Sequence, residues 1–158
     1  MPSSHDVPTE WRFERSSTFE SLEEIVEAAQ QFAARVFGDA EVAHRFVLAV
    51  SEAVSNAIEH GNAADPNKQV TAAFHARTEA ALVEATVTDE GRGFDPAAVD
   101  DPLDEEHLTR THGRGLHIIQ QAADEVSYEA DGCRVRMRFF RAAGQQCKVK
   151  QDESRTEG

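Results

Sequence analysis

The sequence predicts an α+β domain in two layers, a mixed and mostly antiparallel sheet with three helices over one face. Two pairs of alternating apolar and polar stretches are spaced as hairpins, and three further segments repeat apolar residues every three or four positions. A length of 158 residues, 40% of them hydrophobic, is enough for one domain with a single core.

Residues 1–9 are polar and read as a flexible lead to a domain over 10–141. Trp11-Arg12-Phe13-Glu14-Arg15 alternates as a half-buried edge strand does. Leu22, Ile25, Val26, Ala29, Phe32, Ala33 and Val36 then give a first helix, with Ser21 and Glu24 as a capping pair and Gly38 as its end. Val42, Phe46, Leu48, Ala49, Ala53, Ala57 and Ile58 mark a second helix from about Asp39 to His60, stopped by Gly61-Asn62.

After turn-forming residues 63–68, Val70–Ala76 and Leu82–Asp89 are expected to pair as a hairpin. The acidic stretch Asp95–Thr111 holds Pro96 and Pro102 and reads as a long functional loop, with a short helical turn near 104–108. A third helix is expected over Gly115–Ala123. Glu125–Glu129 and Cys133–Arg141 follow as a second hairpin about Ala130-Asp131-Gly132, and 142–158 read as a disordered tail.

Composition narrows the function. Lys and Arg number 16 against 29 Asp and Glu, a formal charge of −13 that repels nucleic acid and anionic membrane. A polyanionic ligand therefore needs a local site. Cys133 and Cys147 fit neither a disulfide framework nor a zinc site and read as ordinary small residues of a reducing compartment. No basic segment followed by an apolar one opens the chain, and no apolar run approaches membrane-spanning length; a cytoplasmic protein is expected.

Three short motifs carry chemistry. Glu52 and Asn56 stand four apart, one above the other on the second helix, among mostly small and apolar residues. A solvated polar face gives the same spacing, but an Asn oxygen also suits magnesium and a nearby Glu suits a base. Val87-Thr88-Asp89-Glu90-Gly91-Arg92-Gly93-Phe94 puts a carboxylate at a strand end, followed by two glycines that let backbone approach a flat ligand. An ordinary turn accounts for Asp89 and Gly91 but not for Gly93. His112-Gly113-Arg114-Gly115-Leu116 opens a helix, where free N–H groups favour phosphate; a hinge is the competing reading.

In this order the motifs resemble the N, G1 and G2 boxes of the GHKL ATPases. The fuller wording, Ser-Glu-Ala-Val-Ser-Asn-Ala-Ile-Glu-His-Gly, Asp-Glu-Gly-Arg-Gly-Phe-Asp-Pro and Gly-Arg-Gly-Leu, is similar to the anti-sigma factor serine/threonine kinases of that superfamily. The resemblance spans Trp11 to Arg141 and implies the Bergerat ATPase fold, ATP as ligand and Mg2+ bound by Asn56. It implies that Asp89 accepts the adenine amino group, that Gly91 and Gly93 shape the pocket, and that Glu52 is the general base. It further implies that Gly113, Arg114, Gly115 and Leu116 form the lid end over the phosphates, with Asp95–Thr111 as the lid and Arg110 or Arg114 near the γ-phosphate. His60 reads as a helix-end histidine rather than an acid or base.

The function implied is an ATP-dependent serine/threonine kinase that phosphorylates a STAS-type anti-anti-sigma protein and sequesters a sigma factor, as a homodimer. The alternatives are a non-catalytic ATP-gated binding module and a histidine-kinase-type ATPase domain.

Overall fold

The computed structural model describes residues 10–77, 81–91 and 111–140, the side chains at 111–114 and 131 excepted. The lead, the tail, Gly93, Arg110 and loop residues 95–110 lie outside the described residues.

Strand β1 (Glu10–Ser16) leads into helices α1 (Phe19–Val36) and α2 (Ala40–Asn56), which ends in a π-helical turn (Ala57–Gly61). Strands β2 (Gln69–Arg77) and β3 (Leu82–Thr88), helix α3 (Thr111–Ala122), and strands β4 (Glu125–Glu129) and β5 (Arg134–Phe140) complete the described elements. The sheet order is β1-β2-β3-β5-β4, and all four pairings are antiparallel. Both expected hairpins form. The fold is α+β, as the alternating and helical periods imply.

Helix starts are set by hydroxyl and carboxylate caps. Thr18, not Ser21, caps α1: its side chain accepts the Ser21 N–H at 3.2 Å, so Ser21 is a buried donor inside the first turn. Two hydroxyls three residues apart offered the same chemistry, and the one that meets the chain leaving β1 serves as cap. Asp39 caps α2, accepting the Glu41 N–H at 2.7 Å. Helix α3 begins at Thr111, four residues before the expected Gly115, so the Gly-x-Gly motif lies within its first turns rather than ahead of them.

The core lies between the helices and one sheet face. Phe32, Phe46, Phe74 and Phe139 are fully buried, and Phe46 touches both Phe74 and Phe139 with ring centroids 5.4 and 5.2 Å apart. Such contacts add about 0.5–1.5 kcal/mol each to plain burial. The alternation of β2, with Val70, Ala72, Phe74 and Ala76 inward, fixes its register, since a one-residue slip would turn this row to solvent.

The opposite face is polar, and no described helix covers it. There Glu84 is nearly buried beneath arginines: Arg138 donates to it at 2.8 Å, and Arg136 and Arg77 lie 3.6 and 3.8 Å away. Burial alone would raise its pKa, but the Arg138 bond and the charges of Arg136, Arg138 and Arg77 outweigh burial and hold it below the usual value. Glu84 thus contributes stability above the ordinary carboxylate range, lost as pH falls through the depressed pKa. Glu84→Ala is expected to cost about 1–3 kcal/mol in urea unfolding at neutral pH, and less in acid.

Candidate functional site

Helix α2 carries the first group of site residues. Asn56 is 9% exposed, and its amide nitrogen finds no hydrogen-bond partner among the described residues. A buried amide left open in this way costs free energy, so it marks a place for a ligand. The helix widens to a π turn immediately after Asn56, a distortion that often accompanies binding sites. That turn ends at Gly61. His60 is exposed in its last positions, in keeping with the helix-end reading.

Glu52, one turn before Asn56, is partly buried. Loss of hydration raises its pKa, and the neighbouring charge of Glu59 adds to the shift. A carboxylate held closer to neutrality accepts a proton more readily than a free one.

Central strand β3 delivers Asp89 to the same end of the molecule. Its Oδ1 accepts the Gly91 N–H at 2.8 Å, and its own N–H donates to the Cys133 carbonyl at 2.9 Å. Burial raises the Asp89 pKa, against the lowering effects of the Gly91 N–H, the Cys133 side chain and Lys68. The carboxylate is therefore costly to keep charged until a donor meets it.

Glycines let these groups converge. A Cβ on Gly61 would collide with the Asp89 carboxylate, and one on Gly91 would collide with the Gly61 carbonyl. A Cβ on Gly115 would stand 2.7 Å from the Asn56 amide nitrogen and 2.9 Å from its oxygen. Two contacts between segments remote in sequence result, Gly61 with Asp89 and Gly91, and Asn56 with Gly115. Gly113, Arg114 and Leu116 lie in α3 beside that contact, Leu116 buried. The roles assigned to Gly93 and Arg110 fall outside the described residues.

Gly115→Ala tests this packing. Overfilling costs about 1–3 kcal/mol, and the better helix propensity of alanine returns about 1. A small fall in melting temperature is expected beside a loss of ATP affinity of about tenfold, read by calorimetric titration.

Three site residues were missed in the sequence. Gly61 read as a helix stop, yet it is the gap into which Asp89 fits. Asn62, fully buried, donates to the Ser17 hydroxyl at 2.6 Å and the Gln69 carbonyl at 2.9 Å and accepts the Glu90 N–H at 2.8 Å, which locks the loop behind Asp89. Cys133 read as an ordinary small residue. Its thiol donates to the Gly91 carbonyl at 3.2 Å and lies beside the Asp89 carboxylate, whose pKa it lowers. Only the β3–β5 register, Thr88 opposite Arg134, puts positions 89 and 133 side by side.

Among the described residues no group of three or more His, Cys, Asp or Glu side chains could hold a metal ion. The carboxamide oxygen of Asn56 is of the donor type that a hard cation takes.

A family profile described as the histidine kinase-like ATPase domain matches residues 16–139. The chain belongs to this family. A search of curated protein sequences returns no match. Among solved structures the chain is similar to the RsbU and RsbW domains of Rv1364c from Mycobacterium tuberculosis, with a TM-score of 0.53 and 17% identity over 84% of this chain. The alignment covers 31% of that longer chain, so the likeness speaks for the fold. As a histidine kinase-like ATPase domain, the protein is an ATP-binding module of the GHKL type.

Proposed function

We propose that the protein is an ATP- and magnesium-dependent serine/threonine kinase that acts as an anti-sigma factor. Its substrate would be a hydroxyl on a STAS-type anti-anti-sigma protein, and its second partner a sigma factor, bound by a homodimer in the cytoplasm. The observations that support this best are the open Asn56 amide packed against Gly115 one turn after Glu52, and the Asp89 carboxylate held against Gly61 at the end of the following turn. The wording of the three motifs supplies the finer family reading. No described helix is long and apolar enough to cross a membrane.

Asp89 would accept the adenine amino group, its orientation fixed by the Gly91 N–H. Asn56 would hold magnesium through its carboxamide oxygen; the ion supplies positive charge against the phosphate oxygens during transfer. Gly113, Arg114, Gly115 and Leu116 would close on the phosphates, and Arg110 or Arg114 would carry charge to the γ-phosphate. Glu52 would take the proton of the attacking hydroxyl, which then forms its bond to the γ-phosphorus as ADP leaves.

The test is calorimetric titration with ATP and magnesium, followed by transfer of radiolabelled γ-phosphate to a purified STAS protein. Micromolar binding that is lost in Asn56→Ala, together with label on the STAS protein, supports the proposal. Binding without transfer to any STAS protein would turn the reading to an ATP-gated binding module. No binding at all would sink it.

A further inference from the structure

A groove of about 390 Å³ opens between the start of α1 and the end of α2. Phe19, Leu22, Ile58 and Pro66 supply its apolar wall, with Ser55 and Glu59 on the α2 side. Phe19 is 71% exposed, although it begins a capped helix. A phenylalanine this exposed at a fixed helix start forgoes much of the about 1.5–3 kcal/mol that full burial yields.

The walls are tied to one another. Ser17 donates to the Lys68 carbonyl from both its backbone and its hydroxyl, each at 3.0 Å, and its hydroxyl accepts from buried Asn62 at 2.6 Å. A groove held in this way is formed in advance of its occupant, which lowers the entropic cost of binding.

Its position and charge define the occupant. Ser55 and Glu59 follow Glu52 by three and seven residues on the same side of the helix, so the groove begins one turn from the candidate base. The axial span from Glu52 to Glu59 is about 10 Å, covered by about three extended residues. Exposed Glu59 lines the groove, and exposed Glu20 and Glu23 and half-buried Asp65 are chain neighbours of its lining residues Phe19, Leu22, Ala64 and Pro66. Among the described residues no Lys or Arg lines it, and Arg15, on the strand leading to α1, pairs with Glu24 at 3.0 Å.

We propose that this groove seats a bulky apolar side chain of the phosphoryl-accepting protein, two or three residues from the accepting hydroxyl, on a segment whose flanks are basic. The proposal rests on the kinase reading and adds to it the determinant of substrate choice.

The test uses the full chain with magnesium and a non-hydrolysable ATP analogue. The probe is a fluorescein-labelled peptide of about twelve residues with one serine, a leucine three positions away and lysines on both flanks. Anisotropy is expected to show binding that weakens about tenfold or more when the leucine becomes serine, when the lysines become glutamates, or when the chain carries Phe19→Ser. Because Phe19 is exposed, that variant keeps its fold, and an unchanged melting temperature verifies this.

Equal binding of the leucine and serine peptides, or unchanged affinity in Phe19→Ser, would overturn the proposal. So would self-association of the protein that Phe19→Ser abolishes without any peptide binding, since the groove would then belong to a second copy. ATP titration alongside separates the two readings. Retained nucleotide binding with failed peptide binding removes the groove alone, whereas absent nucleotide binding removes the kinase and leaves the anisotropy to judge the groove.

Discussion

Asp89→Asn is expected to weaken ATP binding by about 10- to 100-fold and, at neutral pH, to raise the melting temperature of the nucleotide-free protein. The two effects share one cause. Oδ1 of Asp89 is committed to the Gly91 N–H, so an asparagine that keeps this bond turns its NH2 toward the adenine amino group, donor against donor. The loss of one charge-assisted bond, about 1.5–3 kcal/mol, sets the size of the change.

The stability gain follows from burial, which raises the Asp89 pKa in the folded state. A carboxyl group with a raised folded pKa binds more protons folded than unfolded. Its contribution to stability is therefore greatest in acid and falls as pH rises from the ordinary carboxylate value, about 4, through the raised one. Asparagine removes that fall. Thermal melts of both proteins from acid to neutral pH are expected to diverge as the pH rises. Unchanged ATP affinity in the variant would remove Asp89 from the adenine site.

Glu52→Gln is expected to reduce phosphotransfer by about 10²- to 10⁴-fold while ATP affinity changes little. Glutamine keeps the shape and the polar end of the side chain but cannot take a proton at neutral pH. Because burial and Glu59 already disfavour the charged form of Glu52, the variant should melt no lower than the parent. Single-turnover transfer measured with saturating ATP separates this from a binding defect. Transfer at the parent's rate would move the role of base to another group.

Local features were legible in the sequence, and non-local ones were not. The hairpins β2–β3 and β4–β5 could be read because the strands of each follow closely and alternate with a period of two. The insertion of β5 between β3 and β4 could not, because nothing in either hairpin specifies which strand of the other it meets. That insertion brings Cys133 to Asp89.

The same division runs through the site. Asn56, Asp89 and Gly115 stood out as polar or glycine residues with unusual neighbours, and the structure packs Gly115 on Asn56 and sets Asp89 against Gly61. Asn62 looked like part of a turn, because the need for a buried amide that binds three backbone or hydroxyl partners arises only after Ser17 and Glu90 have been folded against it. Likewise the packing of Gly115 on Asn56 is a contact across 59 positions that no local propensity reports.

The glycines of the cleft differ in what binds them to their identity, and this gives them different freedom to vary over time. The obstacle at Gly61 is the side chain of residue 89, whereas the obstacle at Gly91 is the main chain of residue 61. A lineage that gives up the carboxylate at 89 also releases position 61 to accept a methyl group. Position 91 stays constrained whatever its neighbours become. The acceptability of alanine at 61 is thus conditional on the residue at 89, a pairwise dependence that should be visible as strong non-additivity when the two substitutions are combined.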